Sequence, residues 1–513
     1  MFDKLIKIKK SDMKKCLLIS LLVMITLISF ATVKPNTLFS DNMVLQRGVL
    51  VPVWGTANDG EKVTVEFNGQ KVSTVAKGGK WKVNLKVLKA NSKPQPMTIT
   101  GENTIKIENI LVGEVWVCSG QSNMEMLIAS AIPKPIFNVK EEIAAANYPE
   151  IRQFRVARNA SDTMVEDANS KWVSCNPVSV KNFTAVGYFF ARDLFKHLNI
   201  PIGILFSTFG GTPAQNWTRK ETLAANPQLK FLVDEYETAV KKYPAALDNF
   251  NTKKDQLLAK WAADTLIAFN THKPFPAKPA APRNPNEGAG GLYNAMINPL
   301  IPFAIKGVVW YQGESNRRNP KLYRTLFPIM INDWRKTWNQ GEFPFLYVQV
   351  APFKDMSPEL REAQLLTLDK VSNIAMTVIT DCGDSSAIHP ANKQPVGNRL
   401  QLAARALAYN EKIEYSGPLY KGFEVNDNAI EITFTHVGKG LLAKDGDLTG
   451  FIIAGDDKKF LPAKAVIKGD KIVVSSSEVA TPTAVRFGWA DFSVNNFFNK
   501  DGLPASPFRT DVD

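Results

Sequence analysis

Residues 115–124 read Val-Trp-Val-Cys-Ser-Gly-Gln-Ser-Asn-Met, an apolar run that breaks abruptly into small polar residues. A buried strand ending in a tight turn has this pattern. A serine just past the C-terminal end of a strand stands where open α/β sheets bind ligands. Gly120 gives the turn a backbone freedom that other residues lack. Ser122 is therefore the candidate nucleophile, although a G-x-S also fits an ordinary polar turn. Three later loops carry groups that suit such a serine. Residues 207–212, Ser-Thr-Phe-Gly-Gly-Thr, hold Gly210 and Gly211, where the backbone N–H approaches a ligand closely enough to bind an oxyanion. Residues 310–316, Trp-Tyr-Gln-Gly-Glu-Ser-Asn, hold Gln312, a side-chain donor suited to the same oxyanion. Residues 381–390, Asp-Cys-Gly-Asp-Ser-Ser-Ala-Ile-His-Pro, hold His389 with acids upstream. His389 is the candidate base because it falls at the same sheet edge as Ser122. His197 lies at a helix end, and His272 and His436 fall outside the strand ends. Nucleophile, base, orienting acid and opposed donors are the parts that acyl transfer needs.

Those parts need a sheet to carry them. From residue 109 strand-like runs alternate with helical patterns. The strands expected are Val115–Cys118, Ile151–Val156, Ile202–Phe206, Gly307–Tyr311, Phe345–Val350 and Ala375–Thr380. The helices expected are Ala185–Leu198, Lys321–Trp338, Glu359–Val371 and Lys393–Ala408. This alternation predicts an α/β fold with a parallel sheet covered by helices on both faces. Residues 218–288 interrupt it. Residues 218–270 are helical and polar, and residues 273–285 are too dense in proline for helix or inner strand, which predicts a helical hairpin and an extended return. Such an insertion either shapes the substrate cleft or is a passive excursion. Residues 35–108 predict a small β domain and residues 411–513 a second one, both built of short strands in a sandwich-like manner.

Composition bounds the rest. The 513 residues allow about three domains. Six lysines precede an apolar run from Cys16 to Phe30, followed by Ala31, so residues 1–31 read as a secretory signal peptide, with an uncleaved anchor as the other reading. Export to the periplasm or the medium is the expectation. The net charge of +13, less the +4 of residues 1–31, leaves +9 without a dense basic block, which speaks against nucleic acid. Of the four cysteines, Cys118, Cys175 and Cys382 remain once residues 1–31 are removed, an odd set, with buried free thiols expected at Cys118 and Cys382. The four histidines show no metal-ligand spacing.

The motifs G-Q-S-N-M, G-G-T, W-Y-Q-G-E-S-N and I-H-P, in this order, resemble the sialate O-acetylesterase family of SGNH-type hydrolases. Residues 38–47, 292–297, 361–364 and 502–511 resemble further segments of that family, so the likeness covers nearly the whole chain after residue 31. The resemblance implies a three-layer SGNH-like sheet domain over residues 109–410 and an esterase that removes acetyl groups from sugars, with 9-O-acetylated sialic acid as the expected substrate. Ser122 would attack, His389 would move the proton, and N–H groups of Ser122 and of Gly210 or Gly211, with the Gln312 amide, would hold the oxyanion. It implies no metal or organic cofactor, and no membrane partner once the signal is removed. Members of the family often carry an aspartate two or three residues before the histidine, where this chain has Ala387 and Ser386. Asp384 is then the nearer stand-in and Asp381 the farther one, unless a backbone carbonyl orients the imidazole. A xylan or mannan acetyl esterase and a non-catalytic glycan-binding protein are the rival expectations.

Overall fold

A computed structural model describes residues 33–131 and 134–511; the expected signal peptide lies outside the described residues. The central strand, β1 (Thr104–Gly120), runs for 17 residues and changes character midway. Residues 104–109 alternate between exposed and more protected positions, as in a strand with one wet face, and every residue from Ile110 to Gly120 is buried. Its first half pairs antiparallel with Asn91–Thr100 and its middle parallel with Val44–Gln46. Its second half is the middle strand of a parallel array.

That array comprises β2 (Tyr148–Arg155), β3 (Trp172–Cys175), β4 (Ile202–Thr208), β5 (Gly307–Tyr311), β6 (Phe345–Val348) and β7 (Ile374–Thr377), in the spatial order β3-β2-β4-β1-β5-β6-β7. All pairs are parallel except the β3 edge. With the strands preceding β1 the sheet has 11 members, so it is mixed. Alternate residues of β1 face two different cores: Val115 and Val117 join one, Trp116 and Cys118 the other. Burial on both faces explains why the run is apolar without alternation.

Helix α1 (Ser122–Glu125) follows β1 directly. Helices α2 (Ala185–Leu198) and α6 (Gln394–Tyr409) pack on one face, with Gly397 set so close to Phe189 that a Cβ there would come within 2.4 Å of the phenylalanine Cβ. Helix α4 (Pro320–Trp338) covers the other face through Phe327, Trp334 and Trp338. Helix α5 (Pro358–Leu365) ends earlier than the expected Val371.

The insertion differs from the expected helical hairpin. A short helix, Lys220–Ala225, is followed by one helix of 41 residues, α3 (Lys230–Asn270), which continues through Pro244. Only Leu232, Val233, Tyr236 and Ala268 are buried in it, so most of the helix lies against solvent. The proline-rich return runs back along it: Trp261 Nε1 donates to the Pro276 carbonyl, and Lys278 sits 5.3 Å from the Trp261 ring. Proline excludes this return from a second helix because it lacks the N–H that a helix uses.

Four of the N-terminal strands share a sheet with β1 and through it with the parallel array, while Lys34–Pro35, Val51–Thr56 and Lys80–Leu85 form a separate three-stranded sheet. Beyond residue 411 three small antiparallel sheets surround a core of their own that includes Ile430, Ile453, Phe487 and Phe508. Cys118, Cys175 and Cys382 are buried free thiols. No helix among the described residues is long and apolar enough to cross a membrane.

Candidate active site

Ser122 owes its position to backbone contacts on both sides. Gly120, at φ 133°, lies so near β5 that a Cβ would come within 2.1 Å of the Tyr311 carbonyl oxygen. The next residue, Gln121, donates its N–H to that carbonyl at 3.0 Å, and its own carbonyl accepts from the N–H groups of Met124 and Glu125. The far end of α1 is tied down by Thr184, whose hydroxyl donates to the Met124 carbonyl at 2.6 Å. The serine thus stands on a short, fully braced turn at the C-terminal edge of the parallel strands.

His389 reaches the same point from the far side of the sheet. Its Nε2 lies 2.7 Å from Ser122 Oγ, a hydrogen-bonding distance between nucleophile and base. Burial lowers the imidazole pKa below its ordinary value, and the nearby Lys393 ammonium lowers it further, which favours the neutral ring that can accept a proton.

The loop that carries His389 is fixed by side chains. Asn123, next to the serine, donates from Nδ2 to the carbonyl of Ile388, next to the histidine, at 3.0 Å. The same Nδ2 donates to Glu314 Oε1, and the Asn123 Oδ1 accepts from Lys393 Nζ. Lys393 and Glu314 are both buried, so burial pushes the lysine down to about 7 and raises the Glu314 carboxyl, and Asn123 stands between them. Lys393 also sits 5.2 Å from the Tyr311 ring.

Asp384 does not take the place expected of it. Its carboxylate accepts from Lys134 Nζ and from the N–H and hydroxyl of Ser386, at 2.9 and 2.6 Å, and these partners hold it well below the ordinary carboxylate range. Two near partners in its own loop and across it outcompete an imidazole farther along the chain. Asp381 is engaged as well. Burial opposes its charge, but the Arg399 fork, at 2.6 Å to each oxygen, holds the carboxyl below its usual range. Among the described residues His389 Nδ1 has no hydrogen-bond partner.

Gln312 is also placed otherwise than expected. It is fully buried, its Nε2 donates to the Thr212 carbonyl at 3.3 Å and to Asn316 Oδ1 at 2.7 Å, and its Oε1 accepts from the Tyr323 hydroxyl. Both amide hydrogens are spent on bracing the Gly-Gly-Thr loop against residues 312–316, so it lacks a donor for an oxyanion. Asn316 is similarly committed, to Gln215 and to the Ala214 N–H.

Gly210 is brought to the serine: a Cβ on it would lie 3.4 Å from Ser122 Cβ. Its N–H donates to Glu125 Oε2 at 2.9 Å, and the other oxygen of Glu125 pairs with Arg158. Gly211 takes a left-handed φ of 76° with open space on its Cβ side. The cleft over the pair has a volume of about 270 Å³ and is lined by Ser122, Glu125, Met126, Leu127, Ser130, Arg155, Arg158 and His389. Sequence reasoning missed Asn123, Lys393 and Arg155; for Arg155 the available signal was a cation closing an apolar strand at the catalytic edge.

Residues 283–405, which include His389, match a family described as "Carbohydrate esterase, sialic acid-specific acetylesterase". The sialate O-acetylesterase of Mus musculus is 30% identical over 92% of this chain and 94% of its own length. That of Homo sapiens is 29% identical over 91% of each. A solved carbohydrate acetylesterase from Xanthomonas citri superposes with a TM-score of 0.79 at 34% identity, over 94% of this chain and all of the other. With a serine and a histidine in hydrogen-bonding contact at a sheet edge, these likenesses make the protein a carboxylic ester hydrolase of the carbohydrate acetylesterase class. More particularly, the chain belongs to the sialate O-acetylesterase family.

Proposed function

We propose that the protein removes O-acetyl groups from sugars, with 9-O-acetylated sialic acid as its substrate, through an acetyl-enzyme on Ser122. The observation that carries this reading is the 2.7 Å contact between Ser122 Oγ and His389 Nε2 inside an open cleft. Neutral His389 takes the hydroxyl proton as Ser122 forms a bond to the acetyl carbon. It then returns that proton to the departing sugar oxygen, and water, activated by the same imidazole, releases acetate. The Ser122 N–H, which opens α1, and the N–H of Gly210 or Gly211 hold the negative oxygen in the transition state; one such donor contributes about 3 kcal/mol. The acyl oxygen competes with Glu125 for the Gly210 N–H. Without a carboxylate on Nδ1, the imidazole is positioned through its own backbone, by the Asn123 bond to the Ile388 carbonyl.

The test is acetate release from 9-O-acetylated sialic acid and from acetylated xylan, by the wild type and by Ser122→Ala. The expected outcome is turnover of the sialic acid ester that falls at least ~10³-fold in the variant. Preference for xylan overturns the substrate; full turnover by Ser122→Ala overturns the mechanism. The lysine-rich head and apolar run before residue 32 support export as part of the same proposal, and an exported chain starting after Ala31 is the result expected from N-terminal sequencing.

A further inference from the structure

Three charged side chains line the cleft, Glu125, Arg155 and Arg158. Two of them cancel. Arg158 pairs with Glu125, stacks 5.5 Å from the Phe209 ring, and is thereby committed. Arg155 is different: its side chain is exposed, and its guanidinium lies 5.6 Å from the Phe206 ring with no carboxylate partner among the described residues. The cleft therefore carries one uncompensated positive charge, on a planar group whose orientation is limited by the ring beneath it. A guanidinium held in this way offers a fork that matches a carboxylate and loses little freedom on binding one.

Its position along the sheet sets what it reads. Arg155 is the last residue of β2, in register with Phe206 of β4, which is in register with Cys118 of β1. Two strand spacings, ~10 Å, separate it from the strand that leads to Ser122. That backbone separation exceeds the size of an acetyl group and is comparable with the length of one sugar unit and its exocyclic chain. Two neutral hydroxyls would leave a stacked guanidinium largely unmatched at that distance, whereas an anion would fill it.

We propose that Arg155 is the specificity-determining residue of this site, binding a carboxylate borne by the sugar at the end remote from the acetyl ester. The inference rests on the deacetylase reading given above and deepens it by naming the residue that separates acidic from neutral acetylated sugars. No bond is made or broken at Arg155; the carboxylate exchanges water for the guanidinium fork, so the effect falls on binding.

The experiment compares three esters, 9-O-acetylated sialic acid, its methyl ester at the sugar carboxylate, and p-nitrophenyl acetate, with wild type, Arg155→Ala and Arg155→Lys. For the free acid, Arg155→Ala is expected to raise KM ~10–100-fold with kcat nearly unchanged, the range of a hydrogen bond to a charged group. The methyl ester and p-nitrophenyl acetate should show no such change, and Arg155→Lys should recover part of the loss by restoring charge without the fork. Equal treatment of free acid and methyl ester by the wild type overturns the assignment of Arg155 while leaving the deacetylase reading intact. So does an equal loss on both in Arg155→Ala. Failure of the wild type to release acetate from any sugar ester, with p-nitrophenyl acetate still cleaved, overturns both.

Discussion

The two halves of the site are held in place by opposite means. Ser122 follows a strand flanked by parallel neighbours on both sides, and the turn beneath it is fixed by main-chain bonds to Tyr311 and within α1. His389 sits in a loop between Thr380 and Lys393 that pairs with no strand. Side chains hold that loop: Arg399 on Asp381, Lys134 on Asp384, and Asn123 on the Ile388 carbonyl. Backbone ladders tolerate side-chain replacement, whereas this loop depends on the two ties made by buried side chains, Arg399 on Asp381 and Asn123 on Ile388, and little on the exposed Lys134–Asp384 pair. Sensitivity to mutation around the catalytic pair should therefore be concentrated on the histidine side.

The largest effect is expected at the tie that joins the halves. Asn123→Ala removes the donor to Ile388 and leaves Lys393 and Glu314 buried without their intermediary. Displacing the base by a fraction of an ångström to an ångström costs ~10²-fold in kcat, so that loss on p-nitrophenyl acetate, with binding little changed, is the expected result. A kcat within a few-fold of wild type would mean that the loop holds His389 without this bond. A second comparison sharpens the contrast between the two acids. Asp381→Asn leaves the buried Arg399 guanidinium without its charged partner and should cost ~1–3 kcal/mol in chemical denaturation. Asp384→Asn should leave kcat within about twofold, as for a surface position; a fall by orders of magnitude would restore Asp384 as the orienting acid.

The smallest effect concerns pH. Only neutral His389 can accept the serine proton, and burial and Lys393 both lower its pKa. The acid limb of kcat/KM should therefore lie below the ordinary imidazole value of about 6.5. Lys393, itself pushed down to about 7, is charged throughout that limb. Lys393→Met removes the repulsion and leaves the burial, so the limb should move to higher pH and activity should be lost earlier on acidification. An unmoved or lowered limb would show that Lys393 does not act on the imidazole.

How much of this was legible in the sequence follows from what kind of signal each part leaves. The parallel strands were readable because burial on both faces makes each of them a short apolar run. The serine and histidine were readable because each follows such a run in a motif. Gln312 was visible as a donor, but Thr212 belongs to another loop and Tyr323 to α4, and nothing in its own motif says that its amide is already spent on them and on Asn316. Asp384 was the nearer acid in sequence, while Lys134, some 250 positions away, decides where its carboxylate goes. Lys393 looked like an ordinary helix start; its burial is a property of the packing around Tyr311 and Asn123. The helical hairpin failed because helix propensity over residues 230–270 contains no breaker except Pro244, which the exposed helix absorbs.

The 17-residue strand that ends at the nucleophile also bears on how the molecule comes apart. Because β1 carries four of the N-terminal strands at one end and the parallel array at the other, neither can lose its ladder while the other keeps a full one. A single apolar cluster spans the two as well, from Val53 and Ile99 to Trp310 and Phe345. On heating, these parts should melt together as one cooperative unit, and hydrogen exchange in the strands before residue 100 should report on the stability of the chemistry at residue 122. The sheets after residue 411 have a core of their own, and they are tied to the catalytic sheet through Gln349–Ser506, Arg361–Ala490 and Arg509–Glu362.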